Sequence, residues 1–207
     1  MKLTWHGHAC FQLDNNGYTV VFDPYRRGTV PGFRLPRIEA DLVLCSHDHA
    51  DHNGASEVIM KKGGVSPYKI TKIATYHDDR HGKLRGHNII HILDDGTFRI
   101  AHMGDLGCPL TEEQAELLSN LDVCMIPVGG YFTIDAKQAK EIVRQIKPRV
   151  VIPMHYRGES FGLAPLDTVD AYAALCDDTV IYDSNELNIT KEMKSQTAIL
   201  TLKNKSY

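Results

Sequence analysis

The chain has 207 residues, 43% of them hydrophobic and 24% charged, with a formal net charge of −3; a sizeable core fits, and one domain spanning 1–207 is expected. That balance excludes the basic footprint of a nucleic-acid or anionic-membrane surface, and no apolar run reaches the length of a signal peptide or a membrane span. The cysteines, Cys10, Cys45, Cys108, Cys124 and Cys176, are odd in number without a Cys-x-x-Cys pair, which points to a reduced cytoplasmic setting, whereas 11 histidines are about twice the usual share and need a chemical reason.

In chain order, the opening predicts strands over Lys2 to His6, Cys10 to Leu13 and Tyr18 to Phe22, with Asn16-Gly17 as the hairpin turn between the last two. Residues Tyr25 to Arg37 mix glycine and proline with Arg26, Arg27, Arg34 and Arg37 and predict a long mobile loop, readable as a lid, an apolar wall or a contact between copies of the chain. Asp41 to Cys45 is a buried strand, Asn53 to Lys62 a helix stopped by Gly63-Gly64, and Tyr68 to Tyr76 an extended segment ending at His77. Asn88 to Leu93 and Thr97 to Met103 flank Asp94-Asp95-Gly96 as a hairpin. Thr111 and Gln114 form a capping box at the head of a helix. The strand Val123 to Val128 follows, then a helix opened by Asp135 with an apolar stripe of Ile142, Val143 and Ile146, and the buried strand Val150 to Met154. A helix over Leu166 to Cys176 and strands over Val180 to Tyr182 and Thr197 to Leu202 complete the chain. A strand-rich opening followed by helices alternating with buried strands implies sheets covered by helices.

The chemistry concentrates in Ser46-His47-Asp48-His49-Ala50-Asp51-His52, directly behind a buried strand. Imidazole and carboxylate are the usual nitrogen and oxygen ligands for zinc and related divalent ions. The spacing His-x-His-x-Asp-His suggests two points of attachment, His47 and His49 at one, Asp51 and His52 at the other. Other candidates recur where an apolar run ends, at His77, Asp105 and His155, so one sheet edge would collect them all.

These pieces resemble the metallo-β-lactamase superfamily, in particular its small zinc-dependent hydrolases. The resemblance runs through Gly7-His8-Ala9-Cys10-Phe11, Asp23-Pro24, His47 to His52, Tyr76-His77-Asp78-Asp79, Arg85-Gly86-His87-Asn88, His102-Met103-Gly104-Asp105-Leu106-Gly107, Ile126-Pro127-Val128-Gly129-Gly130 and Val151-Ile152-Pro153-Met154-His155-Tyr156. It implies an α/β fold, a four-layer αβ/βα sandwich, with two divalent ions, zinc first and manganese or iron as alternatives. His47, His49 and His77 would hold one ion, Asp51, His52 and His155 the other, and Asp105 would bridge them. A metal-bridging hydroxide would attack a small ester, lactone or phosphodiester, with Asp51 and Asp105 as the catalytic carboxylates. His8 and Asp23 fit orienting or purely structural roles, and His102 packs or hydrogen-bonds behind Asp105.

Arg85, Asn88 and Tyr156 are the candidate substrate-binding residues, placed to hold an anionic or carbonyl oxygen. A small-molecule substrate is expected; nucleic acid is disfavoured, and a homo-oligomer is left open. The competing readings are a mononuclear iron dioxygenase or other redox enzyme, since ligand sets overlap between metals, a nuclease, which would need a basic grip on the backbone, and a non-catalytic binding protein.

Overall fold

Alternating apolar residues build a sheet at each end of the chain, and the computed structural model describes residues 1–202. Its elements are β1 (Lys2–Gly7), β2 (Cys10–Asn15), β3 (Tyr18–Phe22), β4 (Ile38–Ala40), β5 (Leu42–Leu44), β6 (Val58–Met60), β7 (Lys69–Tyr76), β8 (His87–Asp94) and β9 (Arg99–His102). They continue with α1 (Glu112–Leu117), β10 (Val123–Pro127), α2 (Ala136–Ile146), β11 (Val150–Met154), α3 (Asp170–Ala173), β12 (Thr179–Tyr182), β13 (Glu186–Asn188) and β14 (Gln196–Leu200).

One sheet has the order β13-β1-β2-β3-β5, the other β12-β14-β11-β10-β9-β8-β7. In the first, Leu13 pairs with Val20 and Asn15 with Tyr18 across a turn in which Asn16 and Gly17 both have positive φ, the geometry for which Asn-Gly is selected. In the second, β9, β10, β11, β14 and β12 run parallel, and β10 and β11 are buried along their whole length, as parallel strands covered on both faces must be. Between the sheets, Leu3, Trp5, Phe11, Leu13, Val20 and Phe22 share one apolar cluster with Ile90, Ile92, Ile100, Val123 and Ile152. Helix α2 covers the second sheet; Asp135 caps it in a capping box with Gln138, and Lys147 ends it in a left-handed conformation ahead of Pro148.

The other face of the first sheet is covered without a helix. Cys10 and Val21 pack there against Tyr25, Val30, Ile38, Ala40 and Val58. The 25–37 segment is a loop, as expected, without helix or strand, and it packs as a wall through buried Tyr25 and Val30 and through Phe33, whose ring lies 4.8 Å from that of Phe161 and 6.0 Å from that of Trp5. The helix expected over Asn53 to Lys62 is replaced by a short 3-10 turn over Ala55–Glu57 and the strand β6, which pairs in parallel with β4. Gly54 supplies no side-chain cap, and Val58 gains burial beside Ile38 only as a strand. The helix expected over Leu166 to Cys176 contracts to α3. Among the described residues, no helix is long and apolar enough to cross a membrane.

Strands β7, β9 and β11 share a direction, so their carboxyl ends lie along one edge of the second sheet. Contacts between Ile89 N–H and Ser46 O at 3.0 Å, and between His155 N–H and His8 O at 3.3 Å, join that edge to the first sheet.

Candidate metal centre

The histidine loop leaves β5 under tight backbone control. Asp23 accepts from Ser46 N–H at 2.7 Å and from the Ser46 hydroxyl at 2.6 Å. The N–H groups of His52 and Asn53 both return to His49 O, folding the loop so that alternate side chains point to different places. From outside, Arg26 N–H and the Thr29 hydroxyl donate to Ala50 O, which gives the packed 25–37 wall a part in shaping the centre. Asp48 does not join the cluster and accepts instead from the Asn53 amide at 3.1 Å.

Three groups of donors result among the described residues, one of them, Asp23, His47 and His52, overlapping the other two. Donor atoms of His47, His49 and His77 lie within 4.8 Å of one another, as do those of His8, Asp51, His52 and His155. Asp105 Oδ2 stands between the groups, 3.2 Å from His77 Nε2, 3.9 Å from His47 Nε2, 3.2 Å from His52 Nε2 and 3.1 Å from His155 Nε2. The seven residues expected to meet do so, although His77, Asp105 and His155 come from the ends of three separate strands. Gly104 makes the approach of Asp105 feasible: its φ is +58°, and a Cβ there would collide with Asn88 Oδ1 and Ser46.

The electrostatics follow from burying so many ionisable groups together. Burial would raise the Asp105 carboxyl, but His155 and His52 outweigh it and hold the group well below the usual range. Burial would lower His52, yet Asp105 and Asp23 overcome that and push it well up. His47 is pushed down to about 3, by burial first and then by His52. Behind the donors, Asp23 is held at about 2, because His102 and His52 overcome the cost of its burial, and it fixes His52 through Nδ1 at 2.8 Å. His102 stacks on Phe22 and is bonded through Nε2 to Ala9 O at 2.9 Å, so it packs behind the centre.

Six buried atoms of the cluster, His8 Nδ1 and Nε2, His52 Nε2, His77 Nδ1, His155 Nδ1 and Asp105 Oδ1, have no hydrogen-bond partner among the described residues. Buried polar atoms are ordinarily satisfied. This many imidazoles and carboxylates, crowded and partly unsatisfied, fit divalent cations in their donor chemistry.

A cavity of about 290 Å³ opens onto His49, Asp51, His77, Asp105 and His155, and its wall is completed by Arg85, Phe132 and Leu163. A larger open depression of about 480 Å³, near Asp177 and Lys194, contains no histidine. Arg85 reaches the mouth of the first because Asp78 accepts from the N–H groups of Arg80, Gly82, Leu84 and Arg85, which curls that loop toward the centre. Its guanidinium donates to Tyr131 O at 3.0 Å and lies 5.7 Å from the Phe132 ring centroid.

The other two expected substrate contacts are placed differently. Asn88 is fully buried, its amide spent on Thr75 Oγ1, Met103 O and the N–H of Asp105. Tyr156 lies beneath the wall against Trp5, ring centroids 5.5 Å apart. Both sit beside site residues in sequence, but each side chain faces the core. Phe132 and Leu163 escape sequence reasoning: the Gly129-Gly130 turn marks the first loop, whereas nothing distinguishes Leu163.

The family profile described as beta-lactamase superfamily domain matches residues 2–155. A metal-dependent hydrolase from Nitratidesulfovibrio vulgaris is 31% identical over 193 residues, covering 75% of this chain and 80% of the relative, and one from Thermoplasma acidophilum is 29% identical over 188 residues, covering 75% and 83%. Among solved structures, a proposed zinc-dependent hydrolase of the metallo-β-lactamase superfamily from Thermotoga maritima is similar with a TM-score of 0.77 and 32% identity, over 96% of this chain and 97% of that one.

Proposed function

Because the chain belongs to the metallo-β-lactamase superfamily and is a metal-dependent hydrolase, we propose that it holds two divalent ions, zinc first, and hydrolyses a small ester, lactone or phosphodiester. The observation that carries this reading is Asp105 Oδ2, within 3.2 Å of His77 in one donor group and of His52 and His155 in the other. His47, His49 and His77 would hold one ion, Asp51, His52 and His155 the second, and Asp105 both. Such ions, when bound, supply Lewis acidity, lowering the pKa of water to about 7 and offsetting charge on the attacked centre.

The protein's own residues do the rest. Asp51 is partly open to the cavity and accepts a hydrogen bond from the attacking water, fixing its direction. Arg85 offers N–H groups to an anionic or carbonyl oxygen at the cavity mouth. Phe132 and Leu163 narrow the cavity and keep bulk water from the reacting centre. No side-chain nucleophile is required.

The test is metal content of untagged protein by elemental analysis, alongside hydrolysis of a panel of chromogenic phosphodiesters, esters and lactones. About two equivalents of zinc or manganese with turnover of one class is the expected result. A single iron with no hydrolysis would overturn it.

A further inference from the structure

His8 belongs to the second donor group but to neither expected ligand set. It occupies the tight corner between β1 and β2 with φ of +54°, a region that non-glycine residues seldom occupy. Its backbone is held from two sides: its carbonyl accepts from the Trp5 indole at 3.0 Å and from His155 N–H at 3.3 Å. The ring is 0% exposed, and neither nitrogen has a hydrogen-bond partner among the described residues. Nε2 lies 3.3 Å from Asp51 Oδ2, close but off hydrogen-bond alignment, and the ring centroid is 4.1 Å from that of His155. Glycine or asparagine would meet the backbone requirement at lower cost, and a carbon side chain would fill the space without two unsatisfied nitrogens. The imidazole is what the position supplies.

We infer that His8 is the positioning residue for Asp51. With the second ion bound, its Nε2–H closes the 3.3 Å gap to Oδ2 as donor and holds the carboxylate against rotation, so the second donor group keeps its shape while the first is indifferent to His8. This rests on the dinuclear reading above. The corner is suited to the task because its backbone is tied to the strand that carries His155, another member of the same group.

The experiment measures stepwise zinc dissociation constants by competition with a chromophoric chelator for wild type, His8→Phe, which keeps a ring without a donor, and His8→Gln, whose amide reaches about as far as Nε2. His8→Phe is expected to weaken the second ion by about 10–100-fold, the usual cost of an outer partner of a ligand, with the first ion unchanged. His8→Gln is expected to restore most of the loss. Both ions held equally by wild type and His8→Phe would overturn the inference alone, as would a His8→Gln protein as defective as His8→Phe. A wild type that holds one ion would overturn the dinuclear reading and this inference together. Should His8→Phe not fold, His8→Leu provides the same comparison.

Discussion

Asp105 Oδ2 lies 3.1 Å from His155 Nε2 although the two residues end different parallel strands, β9 and β11, with β10 between them. The spacing depends on the carboxylate's charge, since four imidazoles converge on one oxygen. Asp105→Asn keeps the shape and removes that charge. Metal content is expected to fall from about two equivalents to one or fewer, and activity to drop by more than the roughly 10–100-fold typical of an outer partner. Elemental analysis and turnover at saturating zinc check both; two retained ions would show that Asp105 joins nothing.

His49→Ala separates metal loss from unfolding. His49 is exposed and meets His47 Nε2 at 3.0 Å through Nδ1, so its removal leaves no cavity in the core. Stability of the metal-free protein is expected to change by no more than about 0.5 kcal/mol, while the ion held with His47 and His77 is lost along with hydrolysis. A variant retaining both ions would place the site elsewhere.

The donors were legible in sequence because each ends an apolar run, a pattern that survives without knowledge of tertiary contacts. The opening strands and the hairpin at Asn16-Gly17 were legible from alternation and turn chemistry. The pairing of β4 with β6 was not: each spans three residues, too short to show a period, and they find each other only across the histidine loop. Asn88 misled in a different way. Three residues after Arg85, it is the second residue of β8, whose alternation turns it into the core, and only the bond from Asp105 N–H reveals its use.

Asn88→Ala should therefore act through stability and through Asp105. The substitution leaves the buried Asp105 N–H and Met103 O without the amide. Since each orphaned buried group costs about 1–3 kcal/mol, a loss of roughly 2 kcal/mol or more is expected in urea unfolding. Turnover falls, but the preference between anionic and neutral substrates is unchanged. A shifted preference with full stability would return Asn88 to the substrate.

Arg85→Ala is expected to do the reverse. Arg85 is held by Tyr131 O and the Phe132 ring at the surface of the cavity, where truncation costs little stability. A charge-assisted hydrogen bond contributes about 1.5–3 kcal/mol, so kcat/KM for anionic substrates should fall about 10–100-fold with much smaller effects on neutral ones. Equal losses on both would remove the anion-binding role.

His91 supplies a pH dependence independent of metal ligation. It is 1% exposed in β8, paired with His102 of β9, and its Nδ1 has no hydrogen-bond partner among the described residues. Burial pushes it down to about 4; Asp23 pulls in the other direction and His102 adds to the depression. In unfolded chain the imidazole titrates near about 6.5. Between those two values the unfolded state binds the extra proton, so stability falls as pH drops from about 6.5 toward about 4 and is insensitive to this group above that window. The contribution is of order 2–3 kcal/mol across the window. In chelator-treated protein, urea unfolding at about pH 7 and pH 4.5 should show a smaller acid loss for His91→Met than for wild type. Equal losses would mean that protonation of His91 does not oppose the fold.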